Sequence, residues 1–303
     1  MANADIKLGY TCNNNCIHCV IADQRAECIK NKIPVDVNTE EYKKELITAK
    51  QQGYSSVVFT GGEPTIRKDI LELLNFADKL GLSIGMQTNG RMFYYEDFTK
   101  EVAKIPRINF VVAVHGPNEE IHDSITQVKG SFNQTINGIS NLIKFNKKVL
   151  GKIVISKLNG IYLKDIAILL NKMGVKELFY AFPHAQGNAR KYFDKVVPKY
   201  SDIMSHIYET IDYCKANKME INFEAVPPCL MEGYEDYIGI MKHFETKTKL
   251  KQVGSMDVDW DTKRKEIQSK FKQCKLCKHN KLCEGVWEEY PEKYGSNEFK
   301  PVK

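Results

Sequence analysis

Three cysteines, Cys12, Cys16 and Cys19, stand on one short stretch at the spacing C-x3-C-x2-C. Three thiolates so placed can converge on one metal centre. Holding three irons of a [4Fe–4S] cluster leaves the fourth open, which is a place for chemistry rather than for electron transfer alone. The rival is a structural zinc site, which wants a fourth ligand. His18 could serve, but it lies between two of the cysteines and would strain the wrap. A second group joins Cys229 to Cys274, Cys277 and Cys283. Four thiolates can complete a [4Fe–4S] shell or a four-cysteine zinc site, and the spacing leaves both open. Of the nine cysteines, Cys214 falls in line with Ile207 and Ile211 on a helical pattern and reads as core, while Cys28 has no obvious helical face. Grouping of this kind favours metal binding over a disulfide framework.

Positioning these ligands falls to short β-rich runs alternating with helical patterns. Residues 5–10 read as a first strand that leads into the three-cysteine loop. Asn38 reads as a helix N-cap with Glu41 at the capping-box position. That helix carries Tyr42, Leu46, Ile47 and Ala49 and ends at Gly53. A second strand, 55–60, runs into Gly61-Gly62-Glu63-Pro64. The next helix places Ile70, Leu73, Leu74, Ala77 and Leu80 at the helical period. Further strands are expected at 82–86, 108–114, 152–156 and 177–182, with helices at 131–145, 162–173 and 200–217. Such alternation argues for parallel βαβ units. Six of them make an α/β fold, a partial (β/α)6 TIM-like barrel, with chemistry at the C-terminal ends of the strands. The pattern changes near residue 218, which predicts a barrel over 1–218 and a small appended domain over 219–303.

The cysteine triplet after strand one resembles that of the radical S-adenosylmethionine superfamily, with His18 in the family's aromatic-type position before the last cysteine. Gly61-Gly62-Glu63-Pro64 matches the family's GGEP motif, and Gln87-Thr88-Asn89-Gly90 is similar to its TNG turn. The resemblance covers roughly residues 5–225. It implies that S-adenosylmethionine chelates the open iron and that the GGE segment binds its amino group, with the glycines admitting close backbone approach. Reductive cleavage would then give a 5′-deoxyadenosyl radical that removes a substrate hydrogen atom. Two family features are missing. Ala113-Val114-His115-Gly116 lacks the serine that many relatives carry there, and Thr126 stands where their carboxylate-binding arginine would be. The resemblance therefore leaves the methionine carboxylate to Lys129 or Arg190, a ligand contact to His115 and a ribose contact to Asn159. For His115 a hydrogen-bonded structural role is the alternative, and for Asn159 a turn role before Gly160.

Beyond the barrel, Pro227-Pro228-Cys229, the later cysteines and Tyr290 resemble the auxiliary-cluster domains called SPASM and twitch. That resemblance implies one auxiliary [4Fe–4S] cluster on Cys229, Cys274, Cys277 and Cys283, as in a twitch-like domain. Some relatives use a free cysteine as hydrogen-atom donor, a part Cys28 could play. Relatives modify ribosomally made peptides or protein side chains, or oxidise, rearrange or couple anionic small molecules such as sugars, nucleotides and cofactor precursors. The peptide reading leads on family frequency. The chain enters its first strand within ten residues, so a leader-binding domain is expected to be absent or supplied by a separate protein. A flavodoxin or ferredoxin is the expected electron donor. A non-catalytic electron carrier or a zinc-stabilised binding module is the contrasting class, and the GGEP turn has no purpose in either.

The totals set the frame. The chain has 303 residues, 43% hydrophobic and 27% charged, ordinary for a globular protein. No apolar run approaches the ~20 residues that span a bilayer, and the N-terminus has no export signal, so a cytoplasmic protein is expected. The net charge is +6. Residues 242–281 hold twelve Lys and Arg against five Asp and Glu. That reads as a solvated surface or as a basic wall facing an anionic substrate or an acidic partner.

Overall fold

The computed structural model describes residues 3–239, 248–251 and 258–303. Seven parallel strands follow one another in sheet order: β1 (Asn3–Lys7), β2 (Ser56–Thr60), β3 (Ser83–Thr88), β4 (Ile108–Ala113), β5 (Val149–Val154), β6 (Glu177–Ala181) and β7 (Glu220–Glu224). Between them run α1 (Ala22–Lys30), α2 (Thr39–Gln51), α3 (Ile70–Lys79), α4 (Glu96–Ala103), α5 (Glu119–Thr126), α6 (Ser131–Lys144), α7 (Leu163–Lys172), the short α8 (Asn188–Lys191) and α9 (Phe193–Val196), and α10 (Tyr200–Ala216). The α/β architecture is that of a partial TIM-like barrel.

Period-two alternation decides what each strand contributes. In β1, Ala4 and Ile6 are buried in the core, whereas Asp5 and Lys7 line the interior of the barrel. In β5, Val149 and Ile153 face the core, while Lys152 and Val154 face inward. The barrel interior is therefore a cavity with charged side chains on its wall rather than a packed apolar plug.

The helices follow their sequence signals. Asn38 Oδ1 accepts from Glu41 N at 2.9 Å and its amide donates to Glu41 Oε2 at 3.1 Å, the reciprocal cap expected for α2. Tyr42, Leu46 and Ala49 are buried as expected, but Ile47 is exposed. Ile70, Leu73, Leu74 and Ala77 bury the inner face of α3, and Cys214 is core on α10.

Two expectations change. The fifth strand starts at Val149 and ends at Val154 rather than spanning 152–156. Gly151 looks like a break in sequence, yet it is the point where Leu170 and Leu178 press on the sheet; a Cβ there would meet Leu170 Cδ1 at 2.7 Å. The boundary expected at 218/219 falls just before β7, which is not part of an appended unit. It pairs in parallel with β6 from Glu177↔Glu220 to Ala181↔Glu224, because Ile221 and Phe223 alternate inward to the core. The barrel thus has a seventh strand.

Within the basic stretch, β8 (Thr248–Lys251) pairs in parallel with β1 at the opposite edge, and β9 (Val258–Asp259) pairs antiparallel with β8. The rest of the chain comprises α11 (Trp260–Glu266), a hairpin of β10 (Gln268–Ser269) and β11 (Val286–Trp287), and α12 (Glu289–Tyr294). Aromatic packing docks this segment on the barrel. Phe182 stacks on Tyr200 at 4.0 Å, and Tyr290 and Phe299 close on Tyr200. Tyr290 Oη accepts from Tyr200 N at 3.0 Å, and Trp287 Nε1 donates to Phe182 O at 3.3 Å. Among the described residues, no helix is long and apolar enough to cross a membrane.

Candidate active site

The loop after β1 carries Cys12, Cys16 and Cys19, and all three line one cavity of about 800 Å³ inside the barrel. Separate elements clasp this loop. Asn15 N and Ile17 N donate to Thr126 O and Ile125 O at the end of α5, at 3.0 and 2.9 Å. Asn188, opening α8, donates to Cys16 O from its side chain and to Cys19 O from its backbone, both at 2.9 Å. Arg91, just past β3, donates from Nη1 to Asn13 O at 2.5 Å and to Asn14 Oδ1 at 2.8 Å.

Burial pushes the Cys12 thiol up to about 11 and raises Cys16 and Cys19 as well. A cation is what such a set of thiolates lacks. Arg25 on α1 is within Coulombic reach of Cys12 and Cys19, and iron ligation would supply the larger share. The donor set therefore fits an iron–sulfur cluster held at the cavity wall.

The GGEP turn leaves β2 and packs its backbone on the same loop. Gly62 N donates to Gly9 O, and Glu63 N to Thr11 O, each at 2.8 Å. A Cβ on Gly62 would lie 2.0 Å from Thr11 O, and one on Gly61, at φ +116°, 2.3 Å from Gly9 O. The glycines thus serve a backbone-to-backbone crossing that seats the cysteine loop. Glu63 is buried and spent: Oε1 accepts from Thr65 N, Thr65 Oγ1 and Thr88 Oγ1 at 3.1, 2.5 and 2.7 Å, and Oε2 from Asn89 N at 2.7 Å.

The radical SAM superfamily profile matches residues 6–173, more than half of the chain. The chain belongs to the radical SAM superfamily. It is 28% identical over 222 residues to the AdoMet-dependent heme synthase of Oleidesulfovibrio alaskensis, covering 72% of this chain and 54% of that protein. The chain thus spans little more than half the length of such curated relatives. The solved structure of Streptococcus suis SuiB bound to precursor peptide SuiA matches 99% of this chain and 75% of that one, with TM-score 0.68 and 17% identity. Native anSMEcpe with bound AdoMet and Kp18Cys peptide matches 99% and 93%, with TM-score 0.65 and 13% identity.

As a radical SAM enzyme the chain uses a [4Fe–4S] cluster and S-adenosylmethionine. Bound together, these would supply an electron and a radical able to take a hydrogen atom from a substrate, with Cys12, Cys16 and Cys19 holding the cluster. Gly61, Gly62, Glu63, Gln87, Asn89 and His115 line the cavity beside the cysteines, whereas Pro64 does not and instead opens a buried 3-10 turn. Asn89 also donates to Asn13 Oδ1 at 2.7 Å.

Other expected contacts are not brought there. Asn159 is fully buried outside the cavity; its Oδ1 accepts from Ser156 N at 2.7 Å and its amide donates to His115 O and Val154 O. Its atoms are consumed by its own turn and by the His115 carbonyl, so it is no ribose contact. Lys129 and Arg190 are exposed and do not line the cavity. The cations that do are Lys7, Arg25 and Lys152, all missed in the sequence. Cys28 is buried on α1 away from the cavity wall, which removes it as a hydrogen-atom donor in this structure.

Three imidazoles back the cluster loop. His18 lies 4.5 Å from His115, which stacks 5.8 Å from His122. Burial pushes His18 and His122 down to about 4 and His115 well below its ordinary range, so all three are neutral. Elsewhere on the cavity wall, His184 stacks on Trp287 at 4.3 Å, with Nε2 3.1 Å from Glu289 Oε1.

Cys229, Cys274, Cys277 and Cys283 meet across the 44 residues between the first two and line a second, smaller cavity. Backbone N–H groups of Phe271 and Gly285 point at the Cys274 and Cys283 sulfurs, at 3.4 and 3.3 Å. Burial pushes Cys229 up to about 12.

Proposed function

We propose that this radical SAM enzyme modifies a side chain of a ribosomally made peptide or protein. The observation that carries this reading is the mouth of the cavity. Val20 and Ile29 line it and are 41% and 61% exposed, and the buried Trp287 of the C-terminal segment lines the same cavity. An apolar lip of this kind suits a chain larger than the cavity itself. The cavity, about 800 Å³, lies toward the upper end of the roughly 300–1,000 Å³ of small-ligand pockets. That leaves space for S-adenosylmethionine and for one substrate side chain beside it. The fold matches to two peptide-bound enzymes support the same reading.

The four C-terminal thiols would hold an auxiliary [4Fe–4S] cluster. Its place beside the docked C-terminal segment suits an acceptor for an electron from oxidised substrate. A flavodoxin or ferredoxin would reduce the first cluster, and a separate leader-binding protein could deliver the peptide. The second reading is an anionic small molecule, favoured by Lys7 and Lys152 inside the cavity.

The test is anaerobic turnover of reconstituted protein with S-adenosylmethionine, reductant and peptides encoded beside its gene. Formation of 5′-deoxyadenosine with a mass change in one peptide is the expected result. Release of 5′-deoxyadenosine driven by a small acid, with every peptide unchanged, would turn the reading to the second class.

A further inference from the structure

The charged side chains lining the large cavity are Lys7, Arg25, Lys152, Asp5, Glu63 and Glu224, and all but two have an evident counterpart. Arg25 and Lys7 each lie within Coulombic reach of Cys19. Glu63 is consumed by the hydrogen bonds of its turn. Asp5 feels Lys7 before Lys152. Glu224 lies at the end of β7, toward Glu284 of the C-terminal segment.

Lys152 is the cation left over. It rises from β5 into the cavity, and among the described residues it donates no hydrogen bond and makes no ion pair; its Nζ stands 5.6 Å from the centroid of the Phe179 ring. His115 lies within its Coulombic reach. That imidazole is 3% exposed, lines the cavity, and has its Nδ1 buried without a partner. A half-buried ammonium without a hydrogen-bond partner, beside a buried imidazole nitrogen that also lacks one, is left free to meet an arriving acceptor. Lys152 offers a single positive charge, which one carboxylate balances and a phosphate dianion would overshoot.

We propose that Lys152, with His115 beside it, is the receptor for a carboxylate of the substrate. The assignment rests on the peptide reading in that the carboxylate is then an Asp or Glu side chain, whereas under the second reading it is that of a free acid. In either case Lys152 fixes the substrate by its anionic end and leaves a neighbouring carbon toward the cluster side of the cavity.

Binding is measured by titration calorimetry on anaerobically reconstituted holoenzyme with S-adenosylmethionine and no reductant, at fixed pH and ionic strength. The probes are acetyl-glutamate amide, glutarate, acetyl-glutamine amide and inorganic phosphate. A saturable heat is expected for a carboxylate probe and none for the glutamine derivative. Lys152→Met should weaken that affinity about tenfold or more, the scale of one charge-assisted hydrogen bond. Lys152→Arg should keep most of it, and Lys152→Gln replaces the Met variant should that fail to fold. Preference for acetyl-glutamate amide over glutarate identifies an acidic side chain; the reverse identifies a free acid, with the receptor unchanged. The assignment is overturned by equal affinity in Lys152→Met, by tighter binding of phosphate, by no carboxylate binding in the wild type, or by loss of S-adenosylmethionine affinity in Lys152→Met. No radical chemistry is required, so failure of the peptide reading would show in the turnover experiment and not here.

Discussion

Arg91 and Asn13, 78 residues apart, share a 2.5 Å hydrogen bond from guanidinium to backbone carbonyl. With the second bond to Asn14 Oδ1 and a third from Nε to Gln134 at 2.6 Å, one arginine ties the cluster loop to the β3 turn and to α6. A hydrogen bond to a charged group contributes about 1.5–3 kcal/mol. Arg91→Ala should therefore let the loop open and speed loss of cluster iron to a chelator. Arg91→Lys, which lacks the planar fork, should fall between. Iron loss at the wild-type rate in the alanine variant would remove Arg91 from this role.

Glu63 joins the turns after β2 and β3. Glu63→Ala leaves the donors of Thr65, Thr88 and Asn89 without their acceptor, at about 1–3 kcal/mol for a buried orphan. The expected result is a lower denaturation midpoint together with weaker S-adenosylmethionine binding. Weaker binding at unchanged stability would mean that the carboxylate serves the ligand alone.

Gly62 admits no side chain, since a Cβ would sit 2.0 Å from the Thr11 carbonyl, a backbone atom that cannot swing aside. Gly62→Ala should push the cysteine loop off β2 and abolish cluster assembly. Gly53→Ala is the control, with open space at the same distance and only the strain of its positive φ. Iron content of the two purified variants decides the matter; full iron in Gly62→Ala would contradict the crossing described here.

For the C-terminal thiols, wild type should hold about eight irons and the triple alanine variant of Cys12, Cys16 and Cys19 about four, from [4Fe–4S] stoichiometry at each site. Cys277→Ala should also destabilise the C-terminal segment, because closing a long loop through a metal centre contributes folding energy. One tightly held zinc and no iron in the triple variant would replace the auxiliary cluster with a structural site.

Asp5 has its carboxyl raised from 3.8 to about 6 by burial, an effect that Lys7 and then Lys152 partly offset. The folded protein holds this proton more tightly than the unfolded chain. Its contribution to stability is thus full below about pH 3.8, falls as pH rises through about 6, and is gone above. Asp5→Asn should stabilise the protein at pH 7.5 by at most about 3 kcal/mol, an advantage that vanishes near pH 4. Thermal melts of both proteins across this range test it; a pH-independent difference would show that the carboxyl titrates normally.

Much of the fold was legible because it rests on local signals. Asn38 with Glu41, the helical period of Ile70 to Ala77, and motifs at the ends of strands all declare themselves within a few residues. The clamp of Arg91 on Asn13 does not, because the partners meet only through the closure of the sheet. Asn159 misled because its side chain is spent on backbone groups of its own turn and on the His115 carbonyl. Lys7 was within reach: Ala4-Asp5-Ile6-Lys7-Leu8 alternates apolar with charged in a strand expected to be covered on both sides, a pattern that signals a wet interior. β7 was read outside the barrel because the compositional change around it begins one element too early, and β8 has too many lysines to look like a strand.

β8 follows β7 in the chain yet pairs with β1 at the far edge of the sheet, in the register Asn3↔Thr248 to Ile6↔Lys251. During synthesis β1 therefore emerges long before the strand that covers its outer side. Until residue 251 has left the ribosome, that side presents a bare row of amide and carbonyl groups able to recruit any extended segment nearby. The nascent protein carries an adhesive seam until that strand arrives, and closure waits for a contact between residues 3–6 and 248–251.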